Sequence, residues 1–123
     1  MSHVTDIILM TAIEDGAKTK EGHPNVDKLN EYIEREHCKH KLLRVDEHSG
    51  GRKAMQCDVF MAAINYMDID GFIEWFSIIA WEHPESVQLL IKDEHDDKFS
   101  VHLAKPSALA KLAHSVNEKG EEG

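Results

Sequence analysis

The chain has 123 residues, of which 41% are hydrophobic and 30% are charged. This composition is typical of a folded domain and excludes a largely disordered chain. The 23 acidic residues outnumber the 14 Lys and Arg residues, which gives a net charge of −9. Because a negative surface repels phosphates, we expect neither nucleic acid nor a membrane as a partner.

The length suits a single domain over residues 1–117, followed by a flexible acidic tail over residues 118–123. No apolar run approaches the roughly 20 residues that cross a bilayer. The first residues, MSHVTDIILM, lack the basic flank and cleavage site of a signal peptide. We therefore predict a cytoplasmic protein, in which Cys38 and Cys57 are free thiols.

The first elements are a strand, a loop and a helix. Residues 4–13 are rich in β-branched side chains and apolar on both alternating sets, which predicts a central strand. The polar, glycine-bearing stretch 14–24 predicts a mobile loop. Asn25 suits a helix N-cap, and apolar residues follow at helical spacing: Val26, Leu29, Tyr32 and Ile33.

The next segments, 41–48 and 52–67, flank Ser49-Gly50-Gly51 and predict two antiparallel strands joined by a glycine turn. With residues 49–51 as the turn, apolar cross-strand partners share one face and polar partners share the other. The predicted apolar partners are Leu43 with Cys57 and Val45 with Met55.

The remaining segments predict a helix, a hairpin and a last helix. Asp68 can cap a second helix, which Pro84 ends. Its apolar stripe comprises Ile69, Phe72, Ile73, Phe76, Ile79 and Ala80. Residues 86–94 and 98–104 alternate around an acidic turn, which predicts a hairpin. Residues 106–117 have the pattern of an amphipathic helix.

The predicted order is β-α-β-β-α-β, followed by an additional C-terminal hairpin strand and helix. This order matches a ferredoxin-like α+β fold, in which two split βαβ units form an antiparallel sheet with two helices on one face. Such a fold does not assign a function by itself.

The basic pair behind the two glycines raises the question of an anion site. The candidate residues for binding an anion or ligand are Arg44, His48, Arg52, Lys53 and Asp58. Two observations favour a simple turn instead. Asp46 and Glu47 neutralise the local charge, and phosphate loops lead from a strand into a helix N-terminus rather than into another strand.

Metal and catalytic patterns are incomplete in this sequence. His37, Cys38 and His40 are possible ligands, but no second cysteine pair completes a zinc-finger pattern. The acidic run 93–98 lacks the register of a calcium-binding loop and is interpreted as a solvated turn. No triad or paired-carboxylate site is present. We predict no catalytic residues, metal or cofactor.

Apolar residues on the third strand suggest an interface. One face of this strand begins with alternate, mainly polar residues: Arg52, Ala54, Gln56 and Asp58. The same face becomes apolar at Phe60, Ala62 and Ile64. Since helices cover one sheet face only, an apolar half on the other face needs a partner, a ligand or the C-terminal helix. The interface candidates are Phe60, Ile64, Trp75 and Trp81, although the tryptophans suit intramolecular packing equally.

Two hypotheses follow. The first is a small acidic, non-catalytic interaction module, an inhibitor, immunity or accessory protein, which acts as a homodimer and meets a basic protein. The alternative is a dimeric α+β barrel that binds a small ligand, or is an enzyme, with a pocket lined by Arg44, His48, Asp58 and Phe60. The net charge of −9 and the lack of a catalytic signature favour the first.

Overall fold

A computed structural model describes residues 3–13, 24–36 and 40–105. Within them the chain forms strands and helices in this order: β1 (Val4–Thr11), α1 (Pro24–Glu36), β2 (Leu43–Arg44), β3 (Asp58–Asn65), α2 (Ile69–Ile78), β4 (Gln88–Asp93) and β5 (Ser100–Leu103). Most of the predicted loop (14–23), the predicted helix 106–117 and the tail 118–123 lie outside the described residues.

The strands form one five-stranded open sheet in the order β2-β3-β1-β4-β5. Every neighbouring pair is antiparallel. The α+β class is therefore confirmed, and β1 is the central strand, as its apolar composition predicts. The finer ferredoxin-like arrangement is not established, because five strands in this order differ from the four of a standard ferredoxin-like sheet.

Both helices pack against the same face of the sheet. Alternate residues of β1 are buried, including Ile7 and Leu9, as expected for a strand of period two. The apolar stripes of α1 and α2 join these residues in one core cluster, with Leu29 from α1 and Phe72 from α2. Full burial of each such side chain contributes about 1.5–3 kcal/mol to folding.

The N-terminus of α2 is hydrogen-bonded to α1. Asp68 accepts a hydrogen bond from the backbone N–H of Gly71 at 3.2 Å, which confirms it as the N-cap. The hydroxyl of Tyr32 on α1 donates to the same carboxylate at 3.1 Å. A Cβ atom at Gly71 would collide with the Tyr32 hydroxyl and the Asp68 carboxylate. A glycine is therefore required for this close approach.

The two segments do pair antiparallel as predicted, but the predicted tight turn at residues 49–51 is wrong. β2 pairs with β3 in a different register, with Leu43 opposite Met61, and the chain leaves the sheet after Arg44. Residues Asp46–His48 then form a 3₁₀ turn. The physical cause is the Asp46 carboxylate, which accepts from the backbone N–H of Val59 at 2.9 Å and so competes with the strand ladder.

The predicted position of Phe60 and Ile64 on the uncovered sheet face is also wrong. Phe60 is 3% exposed and Ile64 is 1% exposed, and both belong to the core cluster beneath the helices. A position on the uncovered face would require Asp58 to mark a solvent-facing side of β3. Asp58 is instead only 1% exposed, so the whole alternating set that starts with it faces the helices.

The hairpin of β4 and β5 agrees with the prediction. Gln88 lies opposite Leu103, and Ile91 lies opposite Ser100. At the turn, the backbone N–H of Asp96 donates to the carbonyl of Asp93 at 2.9 Å. No helix in the described part of the chain is both long enough and apolar enough to cross a membrane.

Candidate functional site

Two carboxylates and one guanidinium form a connected group where β3 begins. Arg44 donates from Nη2 to Asp58 at 3.0 Å and from Nε to Asp46 at 3.0 Å. The side chains of Asp58 and Asp46 are 2% and 8% exposed, whereas that of Arg44 is 39% exposed. Since a buried carboxylate is costly unless it is paired, Arg44 is needed for both.

The pairing also sets the protonation of Asp46 and Arg44. Burial raises the pKa of Asp46, but the hydrogen bonds from Arg44 and from the Val59 N–H, together with the charge of Arg44, lower that pKa below its ordinary value of 3.8. The hydrogen bond to Asp46 raises the pKa of Arg44, against the opposing effect of burial. Both groups are therefore charged at neutral pH.

Beside this group lies an open cavity of about 440 Å³. It brings together four of the five residues that the sequence indicates as ligand candidates: Arg44, Arg52, Lys53 and Asp58. The fifth, His48, is exposed and is not among the described residues that line the cavity. The loop after the 3₁₀ turn, rather than a hairpin, produces this grouping.

The charges in the cavity are balanced overall but not paired one by one. Arg44 is engaged by Asp46 and Asp58. Arg52 and Lys53 form no ion pair with any residue in the described ranges. The two cations that remain available to a ligand are thus the pair directly behind the glycines.

The sheet face opposite the helices carries a second candidate surface. Opposed residues form one row across all five strands, because each lies opposite the next in the observed register. We call these side chains the apolar row: Leu43, Met61, Ile8, Leu90 and Val101. Leu43, Met61 and Val101 are 57%, 43% and 56% exposed.

The charged residues that the described strands place on this face are Asp6 and Lys92, which lie opposite each other. On the described strands this face is therefore close to neutral, in a chain of net charge −9. The apolar row is not evident from the sequence. The alternation within each strand indicates which residues share a face, but the row becomes visible only when the register of all the strands is known.

Trp75 and Trp81, both interface candidates, lie on the helix side. The indole Nε1 of Trp75 donates to the carbonyl of Lys28 on α1 at 2.7 Å, and the guanidinium of Arg35 lies 5.5 Å from the centre of its ring. Trp81 is 6% exposed and packs against Phe76. This is the intramolecular packing that the sequence left open as the alternative.

Comparison with family models, curated proteins and solved structures gives no match to this chain.

Proposed function

We propose that the protein is a small acidic interaction module that acts in the cytoplasm as a homodimer, joined through the uncovered sheet face. The apolar row is the observation that carries this proposal, since three of its five side chains are 43–57% exposed. A contiguous apolar surface of this kind is uncommon on monomers and typical of interfaces. A ferredoxin-like arrangement is part of the proposal, because it leaves one sheet face bare.

Charge favours a second copy as the occupant of this face. Two chains of net charge −9 repel each other, so they can associate only where the local charge is balanced. Asp6 and Lys92 provide that balance, and a two-fold axis lets the Asp6 of each copy approach the Lys92 of the other. Two sheets that pack face to face bury such side chains between them.

The acidic surface outside the dimer interface then remains available to another protein. The complementary partner is a basic protein surface, because opposite potentials accelerate association and exclude wrong partners. This chemistry is that of an inhibitor, immunity or accessory protein, and it requires no catalytic residue.

Two methionines provide a matched test of the homodimer. Met61 lies in the apolar row and is 43% exposed, while Met55 lies in the loop before β3 and is 40% exposed. Light scattering should give the parent a mass near twice 14.0 kDa. Met61→Lys should give a monomer with an unchanged fold, and Met55→Lys should remain dimeric. A monomeric parent at high micromolar concentration, or a dimeric Met61→Lys variant, would refute the proposal.

Small-ligand binding is the second candidate function. Arg52 and Lys53 favour it, since they line the 440 Å³ cavity and form no ion pair within the described part of the chain. The ligand class would be a small anion such as a phosphate ester or a carboxylate. Titration with inorganic phosphate, followed by NMR, should shift the amide signals of residues 49–55. The double variant Arg52→Gln, Lys53→Gln should abolish the shifts. A parent spectrum that phosphate leaves unchanged would exclude this function.

A further inference from the structure

Two histidines and a glutamate meet at the end of the sheet where β1 begins and β4 ends. His3, Glu94 and His95 each offer one ligand atom, and these three atoms lie within 4.8 Å of one another. The rings of His3 and His95 are 5.4 Å apart between centres. This group is at the opposite end of β1 from the Arg44 cavity, because β1 ends at Thr11, opposite Asp58.

His3 is held in place by the end of β3. Its backbone N–H donates to Asn65 at 2.7 Å, and its carbonyl accepts from the N–H of Tyr66 at 2.9 Å. The ring of Tyr66 stacks on the imidazole at 6.2 Å between centres. Tyr66 has a φ of 57°, which is unfavourable for an aromatic residue. The surrounding contacts therefore hold Tyr66 beside His3 against its local preference.

Asp93 contacts one of the two ring nitrogens of His3. Its Oδ2 lies 2.7 Å from His3 Nε2, and its Oδ1 accepts from Thr5 at 3.3 Å. With Nε2 bonded to Asp93, Nδ1 is the ring nitrogen of His3 left for another ligand.

We propose that His3, Glu94 and His95 bind a divalent transition-metal ion, with zinc as the best fit, and that Asp93 is the positioning residue for His3. Two imidazole nitrogens and one carboxylate oxygen are ligands of zinc, and such a set leaves the fourth position to water. A carboxylate that accepts from the other nitrogen of a ligating histidine is the usual support of such sites. Calcium and magnesium prefer oxygen ligands throughout.

Binding requires only small side-chain movements. Tetrahedral zinc ligands are about 3.4 Å apart, closer than the present spacing of up to 4.8 Å. Glu94 and His95 are exposed in the turn between β4 and β5, so their side chains can rotate toward the held His3. The sequence does not indicate this site, because His3 and the acidic run are some 90 residues apart.

The test is zinc uptake by the full chain, measured by equilibrium dialysis and by calorimetry at neutral pH. The parent should bind zinc, and His95→Asn and Glu94→Gln should each lose one equivalent. His83→Asn is the matched control, since His83 is also exposed and lies 3.6 Å from a carboxylate, that of Glu85. Cobalt should give the visible absorption of a tetrahedral site in the parent and in the control, but not in His95→Asn.

Asp93→Asn isolates the positioning role. It should weaken zinc binding about 10–100-fold, as is typical when such a supporting carboxylate is lost. Circular dichroism should confirm that each variant keeps the fold. A parent that takes up no zinc, or His95→Asn and Glu94→Gln variants that keep full uptake, would overturn the metal site. Unchanged affinity in Asp93→Asn would overturn the positioning role.

Discussion

Arg44 and Asp58 are joined by a hydrogen bond of 3.0 Å that links the short edge strand β2 to the first residue of β3. Asp58 is 1% exposed and also lies at the start of the strand set that faces the helices. The guanidinium thus connects the cavity surface to the interior of the domain, and it compensates for two carboxylates that the fold buries.

Removal of Arg44 should therefore destabilise the fold. Arg44→Met keeps much of the side-chain volume but removes the cation beside Asp46 and Asp58, which we expect to lower the free energy of unfolding by about 2 kcal/mol. Arg44→Lys should have an intermediate effect, because a single ammonium cannot match the fork that reaches both carboxylates. Urea unfolding measures both variants. Equal stability of Arg44→Met and the parent would contradict this role.

The lowered pKa of Asp46 predicts a pH dependence of stability. Below its ordinary pKa of 3.8, the unfolded chain takes up a proton at this residue while the folded chain does not. The stability that Asp46 contributes is therefore fully present above pH 3.8 and is lost as the pH falls through the lower folded value. Asp46→Asn should be less stable than the parent at pH 7, and this difference should shrink in acid. A constant difference across the range would contradict the assignment.

Substitutions at Gly50 and Gly51 measure the cost of backbone conformation without a steric clash. Gly51 has a φ of +106°, and in the described part of the chain a side chain at either glycine would point into open space. Gly51→Ala should therefore cost about 1 kcal/mol through its backbone alone, whereas Gly50→Ala should be close to neutral. Thermal unfolding measures the stability of both variants. Equal losses of stability would contradict this prediction.

Trp75 is expected to stabilise the fold of a single chain and to contribute nothing to a dimer interface. Trp75→Phe removes the hydrogen bond to Lys28, and we expect a loss of about 1 kcal/mol in the free energy of unfolding. The mass measured by light scattering should not change, because the indole lies on the helix side. A variant that dissociates while it keeps its stability would instead place Trp75 in the interface.

Several elements could be predicted because their signals are local. The apolar composition of residues 4–13 indicates a central strand, Asp68 caps a helix within its own turn, and β4 and β5 alternate on either side of an acidic turn. Each of these features depends on residues a few positions apart, so backbone geometry and side-chain period are sufficient to predict them.

Only the tertiary structure shows which sheet face the helices cover and which residues meet at the candidate sites. Alternation in β3 shows that Asp58, Phe60 and Ile64 share a face, but only the packing of the helices shows that this face is covered, and Arg44 pairs with the Asp58 that is buried there. Likewise, His3 meets His95 because β1 and β4 are neighbours in the sheet. A sequence pattern determines which side chains lie together on one element. Which elements meet depends on long-range pairing and on the burial of charges, and no local pattern encodes either.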